Sequence, residues 1–145
     1  RIDFIGLTGI GHAEELKRAV RSGEFATIQV PYNLLNPSAG HAMPADFTDT
    51  DYGNILADCD EFGVAALAIR VFAGGALLDA EPSAHTLKTP FFPLDLYQRD
   101  RERARVLGDG LKGRALRFVL DDARVATAIV GFGSPEQVRE ARMAK

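Results

Sequence analysis

The chain has 145 residues, 46% hydrophobic and 26% charged, a composition typical of a folded globular protein rather than a disordered or collagen-like one. The net charge of −3 gives no electrostatic reason to expect a nucleic-acid partner. The apolar runs are strand-sized and far shorter than the ~20 residues of a membrane helix, so we expect no membrane association. The single cysteine, Cys59, cannot form an internal disulfide, which indicates a reducing compartment and predicts a cytoplasmic protein.

The first half of the chain alternates apolar runs with amphipathic stretches. The predicted elements are a strand over 2–8, a helix ending near Gly23, a strand over 25–30, a helix from 52 to Gly63, and a strand over 64–72. The third strand is continuously apolar, which is typical of a parallel strand covered on both faces. The chain begins Arg1-Ile2 without Met and enters this pattern at once, so we expect it to be cut from something longer.

The second half begins with a proline-containing segment, predicted as an irregular loop over 74–93. Helices are predicted over 95–107 and 113–121, followed by a strand over 125–130. Ser134 as N-cap, Pro135 at the first helical position and Gln137 two residues later predict a final helix. The order β-α-β-α-β-α-α-β-α predicts an α/β fold with parallel strands, right-handed crossovers and helices outside a curving sheet.

Four βα units are half of a closed (β/α)8 barrel, which takes roughly 250 residues. Such a half would leave two strand edges and an open inner face, and these invite pairing with another chain or another half of the same chain. The alternative is a doubly wound dinucleotide-binding sheet. Its fingerprint begins at Gly9-Ile10-Gly11, but Glu14 replaces the third glycine and no acidic residue follows about 20 positions on, which excludes it.

Ligands of parallel α/β proteins bind at the carboxyl ends of the strands, here 8–11, 29–33, 69–75 and 131–137. Residues 131–135 form the best anion site, although Ser134 could simply cap its own helix. Gln29, inside an apolar strand, is either satisfied by backbone or directed at a ligand amide. Arg70 should lie at its strand's end, facing a carboxylate or phosphate. We find no nucleophile–base pair and no metal-ligand spacing, so the sequence predicts a binding site without a visible catalyst.

Four segments closely resemble, in order, the aldo-keto reductase family. They are Ile5-Gly6-Leu7-Thr8-Gly9, Ile28-Gln29-Val30-Pro31-Tyr32-Asn33, Ala68-Ile69-Arg70-Val71-Phe72-Ala73-Gly74-Gly75 and Val130-Gly131-Phe132-Gly133-Ser134-Pro135-Glu136-Gln137. The resemblance spans essentially all of residues 1–145 and corresponds to strands five to eight, the C-terminal half of a TIM barrel. It implies one structural unit, 1–145, without the N-terminal half.

The resemblance implies an NADP(H)-dependent reductase of aldehydes or ketones, with a small carbonyl compound as substrate. By position, Thr8, Gly9 and Gln29 match residues at the nicotinamide carboxamide, and Ile69 falls where an aromatic ring usually stacks on the nicotinamide. The remaining matches are the pyrophosphate segment, with Arg70, Val71 and Phe72, and the phosphate-and-adenine cluster, with Gly131, Gly133, Gln137 and Glu140. Because Gly133 lacks the serine hydroxyl often used at the 2′-phosphate, NAD(H) stays open as an alternative cofactor.

The family's Asp-Tyr-Lys-His tetrad belongs to the first half of the barrel, and no residue of this sequence matches it. We therefore expect an oxidoreductase only when the chain is joined to its N-terminal half, and an inactive piece otherwise. One alternative is a non-catalytic nucleotide-binding or regulatory half-barrel module. Another is a half-barrel whose strand edges are covered by a second copy.

Overall fold

Four parallel strands form a sheet whose order follows the sequence. The computed structural model describes residues 1–82, 84–88 and 94–142. Within them the strands are β1 (Gly6–Thr8), β2 (Thr27–Pro31), β3 (Ala65–Ile69) and β4 (Val125–Ala128), in the order β1-β2-β3-β4. A doubly wound sheet has a point at which the strand order reverses, and the order of these four strands has none, so it confirms the barrel-type prediction.

The helices are α1 (Ala13–Arg21), α2 (Ile55–Phe62), α3 (Ala84–Lys88), α4 (Leu94–Val106), α5 (Leu111–Leu120) and α6 (Pro135–Arg142). Gly63 ends α2 in the left-handed conformation, as its position predicted. A 3-10 segment, Ala73–Leu78, follows β3 and is interrupted at Gly74 and Gly75. Across the described ranges, each helix is too short or too polar to span a bilayer.

Helices α1, α2 and α5 pack on one face of the sheet, as is expected of right-handed crossovers between neighbouring strands. Ile28, Val30, Ala66 and Ala68 are completely buried there, together with core residues of α1, α2 and α5. The residues that alternate with them, such as Gln29, Leu67 and Ile69, are half-buried on the opposite face, which we call the inner face. The prediction that β3 is covered on both faces is therefore wrong for this chain.

Strand boundaries differ from the prediction because pairing, not hydrophobicity, defines a strand. β1 begins at Gly6 rather than Ile2, since its ladder to β2 starts with the pair Gly6 and Thr27. β3 and β4 likewise end at Ile69 and Ala128, before the apolar runs do. The predicted loop over 74–93 contains part of the 3-10 segment and α3, and its residues 83 and 89–93 lie outside the described residues.

Candidate functional site

Gly9 lets the chain leave β1 in close contact with β2. Its N–H donates to the carbonyl of Gln29 at 2.6 Å, which extends the β1–β2 ladder by one bond. A Cβ at Gly9 would lie 2.7 Å from Cδ1 of Ile28 and 2.9 Å from that carbonyl oxygen. A side chain does not fit at this distance, so packing at the strand end accounts for the glycine.

Thr8 and Gln29 are register partners at the carboxyl ends of β1 and β2. Both therefore lie on the inner face, where Thr8 is exposed and Gln29 is half-buried. No described residue hydrogen-bonds the side-chain amide of Gln29. The amide is thus available to a ligand, which favours the second of the two interpretations of this residue.

Arg70 follows β3 directly, at the strand end where we expected it. Its backbone is left-handed, with φ of 57°, and its carbonyl accepts hydrogen bonds from Nδ2 of Asn33 and from the N–H of Ala73. Burial lowers the pKa of the guanidinium to about 10, an effect that the nearby Asp100 carboxylate and Tyr52 hydroxyl oppose. Left-handed backbone costs a non-glycine residue roughly 1–2 kcal/mol, so surrounding contacts hold this turn in place.

The 3-10 segment after Arg70 packs against the ring of Tyr97 from α4. The Tyr97 hydroxyl donates to the carbonyl of Ala80 at 3.0 Å, and a Cβ at Gly75 would lie 3.0 Å from that hydroxyl. Arg101 of α4 also donates to Asp79 and to Glu81. The loop after β3 is therefore held against α4 by a hydrogen bond to its backbone and by hydrogen bonds to its acidic side chains.

The start of α6 has the capping pattern that the sequence predicted. Oγ of Ser134 accepts from the N–H of Gln137 at 3.3 Å, and Oε1 of Gln137 accepts from the N–H of Gly133 at 2.7 Å. Ser134 therefore does cap its helix. The Gly133 N–H is already bonded within the loop, and the side-chain NH2 of Gln137 is the group left to face a ligand.

A cleft of about 390 Å³ opens between α5 and α6, and we call it the α5–α6 cleft. Residues of the loops after β3 and β4 also line it. Its lining residues are Phe72, Leu78, Lys112, Gly113, Leu116, Arg117, Gly131, Phe132, Gln137, Glu140 and Ala141.

The α5–α6 cleft brings together four of the predicted site residues: Phe72, Gly131, Gln137 and Glu140. Gly133 joins them through its hydrogen bond to Gln137. The other predicted residues lie outside the cleft. Thr8, Gly9, Gln29, Ile69 and Arg70 are at the ends of β1, β2 and β3. The side chain of Val71 is buried in the core, so its backbone is the part that could face a ligand.

Lys112 and Arg117 line the cleft from α5 and were missed by the sequence analysis. Lys112 forms an ion pair with Glu140 across the cleft. Arg117 folds back along its own helix, where Nη1 lies 3.3 Å from the position of a Cβ on Gly113. The pattern that could have identified them is a glycine inside a predicted helix, Gly113, with one basic residue next to it and a second basic residue one turn later.

A second polar cluster, the Tyr32 network, consists of Tyr32, His41, Asp122 and Arg124. The Arg124 guanidinium, by its hydrogen bonds, lowers the pKa of Asp122 to about 2. The ionised carboxylate can only accept, so the Tyr32 hydroxyl donates to it at 3.1 Å and accepts from Nε2 of His41 at 3.2 Å. Burial, and then the bond to Asp122, raise the pKa of Tyr32 above its usual value.

The Tyr32 network ties two separate segments to the sheet. Arg124 also donates to the carbonyl of Gly40 at 2.9 Å and to Oδ1 of Asn54 at 3.1 Å. Tyr32 itself is 1% exposed and packs on the ring of Phe118. These contacts fit a structural role for Tyr32.

A singly wound parallel sheet with helices packed on one face defines an α/β protein of the barrel type. The family model of the Aldo/keto reductase family matches residues 1–144, and the chain belongs to that family. A search of curated protein sequences finds no match.

Solved structures agree on the fold. The aldo-keto reductase AKR11C1 from Bacillus halodurans matches in its holo form with a TM-score of 0.62 at 21% identity, covering 97% of this chain and 43% of that one. Its apo form matches with the same TM-score at 20% identity, covering 44% of that chain. The chain therefore spans less than half the length of this relative, and the predicted partial-barrel fold is confirmed.

Proposed function

We propose that the chain supplies the cofactor-binding half of an NADP(H)-dependent oxidoreductase that reduces aldehydes or ketones to alcohols. The α5–α6 cleft carries this proposal. Family membership gives the reaction class, and the cleft gathers the residues that the resemblance assigns to the adenosine end of the cofactor. The complete enzyme would also need the Asp-Tyr-Lys-His tetrad, which this sequence lacks.

The chemistry of the lining residues fits an adenine nucleotide. Phe72 and Phe132 offer apolar rings to a flat base, and Leu116 and Ala141 add apolar surface. The side-chain NH2 of Gln137 can donate to a ring nitrogen, and the Glu140 carboxylate can accept from an exocyclic amine. Phosphate groups would find cations in Lys112 and Arg117.

The opposite end of the cofactor would lie at the carboxyl ends of β1 and β2. There the unbonded amide of Gln29 and the exposed hydroxyl of Thr8 could hold a carboxamide group on the inner face. A bound nicotinamide would supply the hydride. The role of this half is to orient the cofactor, while the proton donor would come from the other half of the barrel.

In a complete protein, further residues must pack on the inner face of the sheet. Leu67 and Ile69 are half-buried on it, and Ile5 and Ile129, just outside β1 and β4, are about half-exposed. We propose that the N-terminal half of the barrel packs here, with a second copy of the chain as the alternative. A monomer in sedimentation velocity of the 145-residue chain would contradict the second copy.

The binding proposal is tested by titrating the 145-residue chain with NADPH in a calorimeter. We expect saturable binding that Phe132→Ala weakens, because this change removes one apolar ring from the cleft. The matched control is Phe62→Ala, which removes a ring of similar exposure, 43% against 46%, from α2 outside the cleft. Absence of NADPH binding would contradict the proposal.

The catalytic proposal is tested by an NADPH-dependent carbonyl reductase assay. We expect no turnover by the chain alone and turnover after it is joined to an N-terminal half that carries the tetrad. Turnover by the chain alone would contradict the assignment of the proton donor to the other half. Binding without turnover in the joined protein would favour the regulatory module.

A further inference from the structure

We propose that Asn33 is a positioning residue for nucleotide binding. Its buried amide holds the left-handed turn at Arg70, and this turn carries Phe72 to the α5–α6 cleft. The role rests on the proposed function, because it concerns the cleft in which the nucleotide would bind. Three observations support it: the hydrogen bonds of the amide, the strained backbone after β3, and the place of Phe72.

The side-chain amide of Asn33 can face Arg70 in one orientation only. Asn33 lies two residues after β2 and is 4% exposed. Its Oδ1 accepts from the N–H groups of Leu35 at 2.9 Å and Asn36 at 3.0 Å, and its Nδ2 donates to the carbonyl of Arg70 at 3.1 Å. The two N–H donors identify the oxygen end of the amide, so the end that faces Arg70 must be a donor. A carboxylate there would keep the first two bonds and repel the Arg70 carbonyl.

This bond lies where the pairing of β2 with β3 gives way to the loops. Just past β2, the N–H of Tyr32 donates to the carbonyl of Ile69 at 3.1 Å. One residue further along each chain, the contact is made by a side chain, because the amide of Asn33 reaches the carbonyl of Arg70. Asn33 therefore holds the backbone of the other chain at the point where that chain leaves the sheet.

The chain after β3 has left-handed backbone at two residues that are not glycine. Arg70 has φ of 57° and Ala73 has φ of 50°. This conformation is unfavourable for a residue with a Cβ, so contacts in the surroundings must hold it. The Arg70 carbonyl accepts from the N–H of Ala73 at 2.7 Å and from Asn33. The first bond lies within the turn, and the second comes from another strand end.

Phe72 lies between these two left-handed residues and lines the α5–α6 cleft. Its carbonyl accepts from the N–H of Gly75 at 2.9 Å, so the ring is carried on the same turn. The direction of the chain at Arg70 thus determines where the Phe72 ring lies. Strained backbone at a strand end that borders a ligand cleft is typical of functional segments. Without the Asn33 bond the turn can relax, and the apparent affinity for a ligand falls with the fraction of molecules that keep the ring in place.

The experiment measures binding of NADP⁺ to the 145-residue chain by calorimetry. We expect Asn33→Ser to weaken binding about 10-fold, because the shorter hydroxyl can still accept within its own turn but does not reach the Arg70 carbonyl. The matched control is Ser38→Ala. Ser38 is fully buried in the same loop and bonds to Asn36 and to the N–H of Tyr52. Its loss should lower the free energy of unfolding at least as much, and leave binding within about 2-fold.

A pH series separates positioning from a general loss of stability. In Asn33→Asp, the carboxylate repels the Arg70 carbonyl, whereas the protonated carboxyl group donates to it as the amide does. Burial favours the neutral form of a carboxyl group. We therefore expect this variant to bind NADP⁺ about 10-fold more weakly than the wild type at pH 8, and to approach the wild type as the pH falls to 5. The ratio for Ser38→Ala should be the same at every pH.

The outcomes separate this inference from the proposed function. If the wild type does not bind NADP⁺, both are wrong. If Asn33→Ser binds as the wild type does, or if it and Ser38→Ala weaken binding in proportion to their loss of stability, Asn33 has a structural role and the inference alone fails. A ratio for Asn33→Asp that is constant from pH 8 to 5 would also overturn it. Far-UV circular dichroism shows whether each variant is folded, and Asn33→Ser decides the matter if Asn33→Asp is not.

Discussion

Helix α5 lies between two polar regions that differ in how completely their charged groups are paired. Through Phe118 it packs on the Tyr32 network, where Arg124 donates to Asp122, to Asn54 and to the Gly40 carbonyl. Through Arg117 it lines the α5–α6 cleft, where a cation has no carboxylate partner in the described part of the chain. A saturated cluster stabilises the fold, whereas an unsaturated one leaves hydrogen-bonding capacity for a ligand.

The largest loss of stability should come from a substitution in the Tyr32 network, the saturated one of the two regions. We expect Arg124→Met to lower the free energy of unfolding by about 2–4 kcal/mol, because it removes the guanidinium donors of the Asp122 carboxylate and of the Gly40 carbonyl. Arg117→Met should change it by less than about 0.5 kcal/mol. Urea unfolding measures both values. Equal losses in the two variants would contradict the distinction between the two regions.

Acid should weaken the Tyr32 network through Asp122. Because the folded-state pKa of Asp122, about 2, lies below its ordinary value of 3.8, unfolding takes up a proton between these values. The stabilisation is therefore complete above about pH 4 to 5 and is lost as the pH falls through about 2. We expect the difference in urea midpoint between the wild type and Asp122→Asn to be constant from pH 7 to 5 and to shrink below pH 4.

A difference that stays the same down to pH 2.5 would contradict the ionised form of Asp122 as the source of the stabilisation. Glu61→Gln provides the control, since Glu61 is exposed on α2 and forms no ion pair with the described residues. Its midpoint should follow the wild type at every pH.

The local features of the fold could be predicted from the sequence. The start of α6 was correct because Ser134, Pro135 and Gln137 determine it within four residues. The start of β1 was wrong because it depends on Thr27 in another strand, which periodicity does not contain. The 3-10 segment was missed because the left-handed glycines Gly74 and Gly75 interrupt any regular pattern.

The candidate site likewise has one part that the sequence could predict and one part that it could not. Gly131, Gln137 and Glu140 are close in sequence and follow one strand end, so a resemblance of motifs could predict them together. Lys112 lies 28 positions before Glu140, and its ion pair exists because the fold brings α5 and α6 to the two sides of one cleft. That contact depends on β4 and the loop after it, which connect the two helices, and no short motif encodes it.

Weakening the cap of α6 should affect the cleft more than the rest of the molecule. We expect Ser134→Ala to lower the free energy of unfolding by about 0.5–1 kcal/mol, because the N–H of Gln137 loses its acceptor. Binding of NADPH should weaken as well, since α6 forms one wall of the cleft. Ser22→Ala, which removes a hydroxyl bonded to the Ala19 carbonyl at the end of α1, should leave binding unchanged.

Gly113→Ala is the smallest of these changes and the most informative one, because it should raise stability while it weakens nucleotide binding. We expect Gly113→Ala to raise the free energy of unfolding by about 0.5–1 kcal/mol, since alanine is the better helix former and Gly113 has ordinary helical backbone. The same change should weaken binding of NADPH by about 2-fold at most, because a Cβ 3.3 Å from Nη1 makes the Arg117 guanidinium shift slightly.

Gly63→Ala provides the opposite case. Gly63 ends α2 with φ of 69°, so alanine there should lower stability by about 1 kcal/mol without affecting the nucleotide. Calorimetric titration and urea unfolding of the two variants separate a glycine kept for backbone conformation from one kept for space beside a cation. If Gly113→Ala stabilises the protein and binds the nucleotide as the wild type does, the space beside Arg117 has no part in recognition.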